Sequence, residues 1–146
     1  MYLIAMKSMT VRPFLDTNVL LYSLDLQTGT SRNLRAEKAE QILSLGGVLS
    51  VQVLNEFADV ASRKMKLSWE KIAGFLQIFE LLCGRAVPLT AETHEKALGI
   101  SKRYGYRIYD SAILAAAIEA GCTTVLTEDM QHGQVVEGVR IENPFL

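Results

Sequence analysis

Phe14-Leu15-Asp16-Thr17-Asn18-Val19-Leu20-Leu21-Tyr22 decides the fold. The apolar run over 11–15 suits a buried strand, although Pro13 removes one ladder donor. Asp16, Thr17 and Asn18 are all good helix caps, and a helix from Asn18 toward Leu26 follows. A strand that feeds straight into a helix is the opening of an α/β unit, and the alternation continues.

Residues 27–33 are polar and glycine-containing, which predicts a loop. Helix 34–45 stops at Gly46-Gly47, strand 48–51 follows, and a helix spans 52–65. Ser68 caps a helix reaching Leu82, with Glu70 in its first turn. A short strand over 86–89 leads through Thr90 to a helix ending at Tyr104-Gly105. The helix from Tyr109 is apolar on every side, so it is buried, and Gly121 closes it. Strands over 124–127 and 139–141 complete a mainly parallel sheet.

The chain has 146 residues, enough for one domain with a sizeable core. Its formal net charge is −1, so a nucleic-acid partner has to be met by a local basic patch. Cys83 and Cys122 lack metal-type spacing and read as thiols in a cytoplasmic protein. No apolar run approaches a membrane span of ~20 residues. The first nine residues read as an extension, with Met6 and Met9 as alternative starts.

Four acids stand where apolar runs meet helices or loops: Asp16, Glu56, Asp110 and Asp129. Asp16 and Asp129 fall at the carboxyl ends of strands, where ligands bind in open α/β sheets. Glu56 shares its helix face with Val53, Phe57 and Val60, whereas Asp59 groups with the polar Asn55, Ser62 and Arg63. A carboxylate on an apolar face needs a cation or a raised pKa. Asp110 opens an otherwise apolar helix, where it could also serve as an N-cap with Ser111. Brought within ~4–6 Å, four such acids repel one another and call for a hard dication. No cysteine or histidine ligand is needed, which argues against zinc. His94 and His132 sit singly in polar stretches.

Phe14 to Tyr22, Asn55-Glu56, Tyr109-Asp110-Ser111-Ala112-Ile113-Leu114-Ala115-Ala116-Ala117 and Leu126-Thr127-Glu128-Asp129, in this order, resemble the PIN domain family. In particular they are similar to the VapC-type ribonuclease toxins of toxin–antitoxin pairs. The resemblance runs from Val11 almost to the end of the chain. It implies a three-layer α/β/α fold with a five-stranded, mainly parallel sheet. It also implies cleavage of single-stranded RNA by water activated on one or two Mg²⁺ or Mn²⁺ ions. Asp16, Glu56, Asp110 and Asp129 would be the catalytic, metal-holding residues, with Thr127 and Asn18 in support. Many relatives place a further aspartate where this chain has Gln131, a departure that bears on a second metal ion rather than the first.

Lys102, Arg103 and Arg107, interleaved with Tyr104, Tyr106 and Tyr109, form a candidate RNA-contact surface. Arg63, Lys64 and Lys66 form a second basic group. The helix beyond Ser68 carries Ile72, Phe75, Leu76 and Phe79 on one face and Ile78 and Leu81 on another, more than one core stripe requires. Phe75, Ile78 and Phe79 are therefore candidates for contact with an antitoxin or a second copy in a homodimer. Rival readings are a phosphatase with Asp16 as covalent nucleophile and a non-catalytic RNA-binding protein on the same fold.

Overall fold

Where the apolar run meets Asp16, the chain turns from strand to helix within one residue. The computed structural model describes residues 12–24 and 33–146. The expected nine-residue extension, Val11, Leu26 and the loop residues up to 32 lie outside them. Strand β1 (Phe14–Leu15) ends at Asp16, whose carboxylate accepts from the Thr17 amide and caps α1 (Thr17–Ser23). Asn33 caps α2 (Leu34–Leu45), whose bounds match the expected helix. Ser50 caps α3 (Val51–Arg63), so Val51 opens a helix rather than ending a strand. Ser68 caps α4 (Trp69–Cys83) as expected, its hydroxyl accepting from the Lys71 amide.

Thr90 and Thr93 form a reciprocal capping box at α5 (Ala91–Tyr104), and Gly105 takes the left-handed φ of 81° that ends it. Helix α6 (Ile108–Glu119) begins with Arg107 at the N-cap position. Asp110 is thus inside the first turn and caps nothing, which removes the bland account of it. Strands β2 (Thr124–Leu126), β3 (Val135–Val136) and β4 (Val139–Glu142) close the domain.

The sheet has four strands in the order β1-β2-β4-β3. Phe14 pairs with Val125 and Leu15 with Leu126 in parallel, and Val125 pairs with Ile141, also in parallel. The antiparallel β3–β4 hairpin was not anticipated, because two valines beside Glu137-Gly138 give too short a run to read as a strand. The expected strands over 48–51 and 86–89 are reduced to single parallel bridges, Phe14 with Val48 and Ser50 with Val87. Those bridges extend the spatial order to Val87, 48–50, β1, β2, β4 and β3. Five of these six segments run parallel, in place of five full strands.

Parallel crossovers are right-handed. The chain steps one way across the sheet from β1 to Val87 and the other way from Val87 to β2. Helices α1–α4 therefore cover one face and α5–α6 the other, giving three layers. Helix α6 packs on β2 and β4 and has no exposed side within its span 111–117, which explains its unbroken apolar sequence. Phe57 and Phe79 meet edge to face at 5.0 Å between α3 and α4, a geometry worth about 0.5–1.5 kcal/mol beyond area burial. Phe79 is thus a core residue, which corrects its place among the candidate interface residues. Cys83 and Cys122 are buried free thiols. Among the described residues no helix is long and apolar enough to cross a membrane.

Gly47 marks the tightest approach among the described glycines. A Cβ there would lie 2.6 Å from Leu15 Cγ, while one at Gly74 within α4 would meet nothing within 4 Å. Gly47→Ala should therefore lose about 1–3 kcal/mol of stability in urea denaturation. Gly74→Ala should gain up to about 1 kcal/mol from helix propensity.

Candidate active site

The site is built where β1 and β2 end side by side, at the point where the chain reverses its direction across the sheet. The parallel ladder carries on to its edge: the Asp16 amide donates to Leu126 O at 3.0 Å, and the Thr127 amide to Glu142 O at 2.9 Å. Asp16 is 3% exposed. Its Oδ1 accepts from the Thr17 amide at 2.7 Å and its Oδ2 from the Thr127 hydroxyl at 2.7 Å. The Thr127 hydroxyl in turn accepts from the Asp129 amide at 3.1 Å, closing the Thr127-Glu128-Asp129 turn. Asn18 Nδ2 donates to Asp129 Oδ2 at 3.2 Å. Among the described residues its Oδ1, which is buried, finds no hydrogen-bond partner.

Glu56 reaches the same edge from the second turn of α3. Its Oε2 accepts from the Thr17 hydroxyl at 2.8 Å and its Oε1 from Gln52 Nε2 at 3.1 Å. Gln52 Nε2 also donates to Tyr109 O at 2.8 Å, joining α3 to the first turn of α6 beside Asp110. Among the described residues the Asp110 carboxylate has no hydrogen bond. Behind the turn, Tyr22 donates to Glu128, accepts from Arg35 Nη1 at 3.2 Å and stacks edge-on against Phe145.

Burial pushes the Asp16 carboxyl up to about 6. The Thr127 and Thr17 hydrogen bonds oppose the rise, and the charges of Glu56 and Asp129 add to it. Asp110 is raised as well, by burial first; Arg107 opposes this, while Asp129 and Glu56 reinforce it. Asp16 and Asp110 thus both lie in the fields of Glu56 and Asp129. No ion pair among the described residues neutralises any of them. Yet no three His, Cys, Asp or Glu side chains among the described residues close into a ready-made metal cage. Like charges without a counter-ion repel, and neutral donors from Thr17, Thr127, Asn18 and Gln52 orient three of the four acids.

A PIN domain family model matches residues 14–137, most of the chain. The chain belongs to the PIN domain family. Among solved structures, this PIN domain is similar to Mycobacterium tuberculosis VapC20, described as a Sarcin-Ricin loop cleaving toxin. The identity there is 19% and the TM-score 0.61, over 87% of this chain and 98% of that one. FitAcB from Neisseria gonorrhoeae shares 22% identity at a TM-score of 0.60, over 90% of this chain and 97% of that one. VapBC2 from Rickettsia felis, bound to a DNA fragment from its promoter, shares 18% identity at 0.62, over 91% and 98%. At these identities the likeness is one of fold. A search of curated proteins finds no match.

The PIN fold leaves the other sequence candidates outside the network of hydrogen bonds around the acids. Lys102, Arg103 and Arg107 are exposed near the α5–α6 junction, with Arg103 stacked over the Tyr104 ring at 5.4 Å. Tyr109 is 62% exposed. Arg63 is tied to Asp59 at 3.0 Å on the outer face of α3. His94 and His132 are exposed, as expected. Two site residues escaped the sequence reading, Gln52 and the hydroxyl of Thr17. Gln52 was detectable in principle: it stands four residues before Glu56, on the same helix face, among residues that are otherwise apolar.

The raised pKa of Asp16 makes a stability statement. An acid whose folded pKa lies above its unfolded 3.8 supports the fold below pH 3.8, and that support is lost as pH rises through about 6. In metal-free buffer at pH 7.5, Asp16→Asn should therefore be more stable than the wild type, by up to about 3 kcal/mol. The gap should close near pH 4. Urea titrations of both proteins at the two pH values measure this, and equal stability at pH 7.5 would refute an ionised, strained Asp16.

Proposed function

We propose that this PIN domain is a divalent-metal-dependent endoribonuclease that cleaves single-stranded RNA and serves as the toxin of a toxin–antitoxin pair. One observation carries the reading: uncompensated carboxylates at the switch point of the sheet, three of them oriented only by neutral donors and Asp110, among the described residues, by none. The donor set suits Mg²⁺ or Mn²⁺, being oxygen only and uncompensated, with Asn18 Oδ1, unpartnered among the described residues, beside it. Since no three acids converge, one or two of Asp16, Glu56, Asp110 and Asp129 would touch the ion and the others act through water, the mode Mg²⁺ favours. The description of VapC20 as a cleaving toxin agrees with this reading.

When bound, the ion supplies a Lewis acid for the scissile phosphate and an acidified water. The chain's own residues do the rest. Asp16 is fixed at both oxygens and presents a set direction of negative charge. Thr127 and Asn18 hold Asp129 in the turn. Asp110, half-buried and free of hydrogen bonds, is the acid best placed to orient water and take up its proton. Arg107, whose charge acts on Asp110, and the exposed Lys102 and Arg103 suit phosphate contact, and the exposed Tyr109 ring suits base stacking.

For partners, α4 offers Ile78 at 49% and Leu81 at 86% exposure, beside a groove of about 400 Å³ lined by Leu67, Lys71, Gly74, Phe75 and Ile78. This face suits an antitoxin segment and pairing of two copies.

Purified protein should cut a mixed single-stranded RNA pool in Mg²⁺ or Mn²⁺ and be silent in EDTA. Asp16→Asn and Asp110→Asn should each lower the rate at least about 100-fold in folded protein. Retained metal-dependent cutting in both variants overturns the assignment; RNA binding without turnover, indifferent to EDTA, favours the non-catalytic rival. Ile78→Glu should shift the chain toward monomer in light scattering, and an unchanged dimer would remove α4 from the self-interface.

A further inference from the structure

Gln52 is the one buried amide that touches both a site acid and the helix carrying another. It lies in the first turn of α3 and is 7% exposed. Its Nε2 spends both protons, one on Glu56 Oε1 at 3.1 Å and one on Tyr109 O at 2.8 Å. Both partners are acceptors, so the nitrogen must face them and the carboxamide has a single satisfactory orientation. The peptide it pins is the one joining Tyr109 to Asp110.

A second observation makes this contact matter. Helix α6 starts at Arg107 with no side-chain cap hydrogen bond, unlike α1 to α5, each capped by its own Asp, Asn, Ser or Thr. Its first turn lacks the local restraint that fixes the others. Gln52 leaves the first-turn amides uncapped, since it donates to a carbonyl, but it ties the same turn to α3 from a neighbouring helix.

The chemistry of the donor is also specific. A lysine or arginine at 52 would orient Glu56 but cancel its charge. An amide orients the carboxylate and leaves the charge available to a cation.

We propose that Gln52 is a positioning residue that sets the separation of the Glu56 and Asp110 carboxylates by tying α3 to the first turn of α6. This rests on the metal-site reading above, although the tie itself is a property of the metal-free chain.

Gln52→Met keeps length and burial and removes both donated hydrogen bonds. The test compares it with the wild type by calorimetric Mn²⁺ titration, by ¹⁵N spectra of the metal-free proteins and by RNA cleavage. Gln52→Met should fold, with resonance shifts concentrated at Glu56 and residues 108–112. Its Mn²⁺ affinity should fall about tenfold, and kcat should drop with little change in KM. Wild-type Mn²⁺ affinity together with unmoved 108–112 resonances in folded Gln52→Met overturns the proposal. A wild type that takes up no Mn²⁺ refutes the metal-site reading instead, and the metal-free spectra still decide the role of Gln52. Should Gln52→Met not fold, the wild-type side-chain amide decides: protected from exchange and shifted by Glu56→Gln if the tie exists, freely exchanging and unshifted if it does not.

Discussion

A carboxylate buried at the end of a strand is the constraint around which this PIN domain is arranged. Asp16 terminates β1, caps α1 through the Thr17 amide and is held from β2 by the Thr127 hydroxyl. One side chain therefore links a strand, a helix and the neighbouring strand's turn. Burial costs the ionised form heavily, and two hydrogen bonds recover only part of that cost, so its pKa rises to about 6. The residues around it make sense as a response. Thr17 uses its hydroxyl to steady Glu56, and Thr127 shares its oxygen between Asp16 and Asp129.

Neutral donors dominate this neighbourhood. Thr17, Asn18, Gln52 and Thr127 orient carboxylates without discharging them, and the acids stay far enough apart to avoid a closed cage. Arg107 stands near Asp110 but forms no ion pair with it among the described residues. Such an arrangement leaves the repulsion among these charges uncompensated. It is a poor design for stability alone, since buried acids are ordinarily paired or absent.

Much of the framework was legible in the chain. Gly46-Gly47, Ser68, Thr90 and Gly105 punctuate the helices through local chemistry that needs no tertiary partner, and the bounds of α2 and α5 followed closely. The strands were harder. Segments 48–50 and Val87 touch their neighbours through single bridges, so their register depends on how β1 is flanked. The β3–β4 hairpin is too short to leave a period in the sequence. Phe79 shows the same limit from another side. Its helix has two apolar faces, and only packing against Phe57 decides which is the core.

The acids divide along this line too. Sequence by itself pointed to Asp16, Glu56, Asp110 and Asp129 as candidates, because local pattern shows when an acid sits on an apolar face, at a helix start or at a strand end. It determined the helix caps and the α/β alternation for the same reason, as these depend on neighbours within a few residues. Only the tertiary structure decided that Asp110 caps nothing, that Gln52 bridges α3 to α6, and that Asp16 and Asp110 both lie in the fields of Glu56 and Asp129 without the four closing into a cage. Those facts depend on distances between residues far apart in sequence. Packing of the helices on the sheet sets these distances, and no local pattern encodes them.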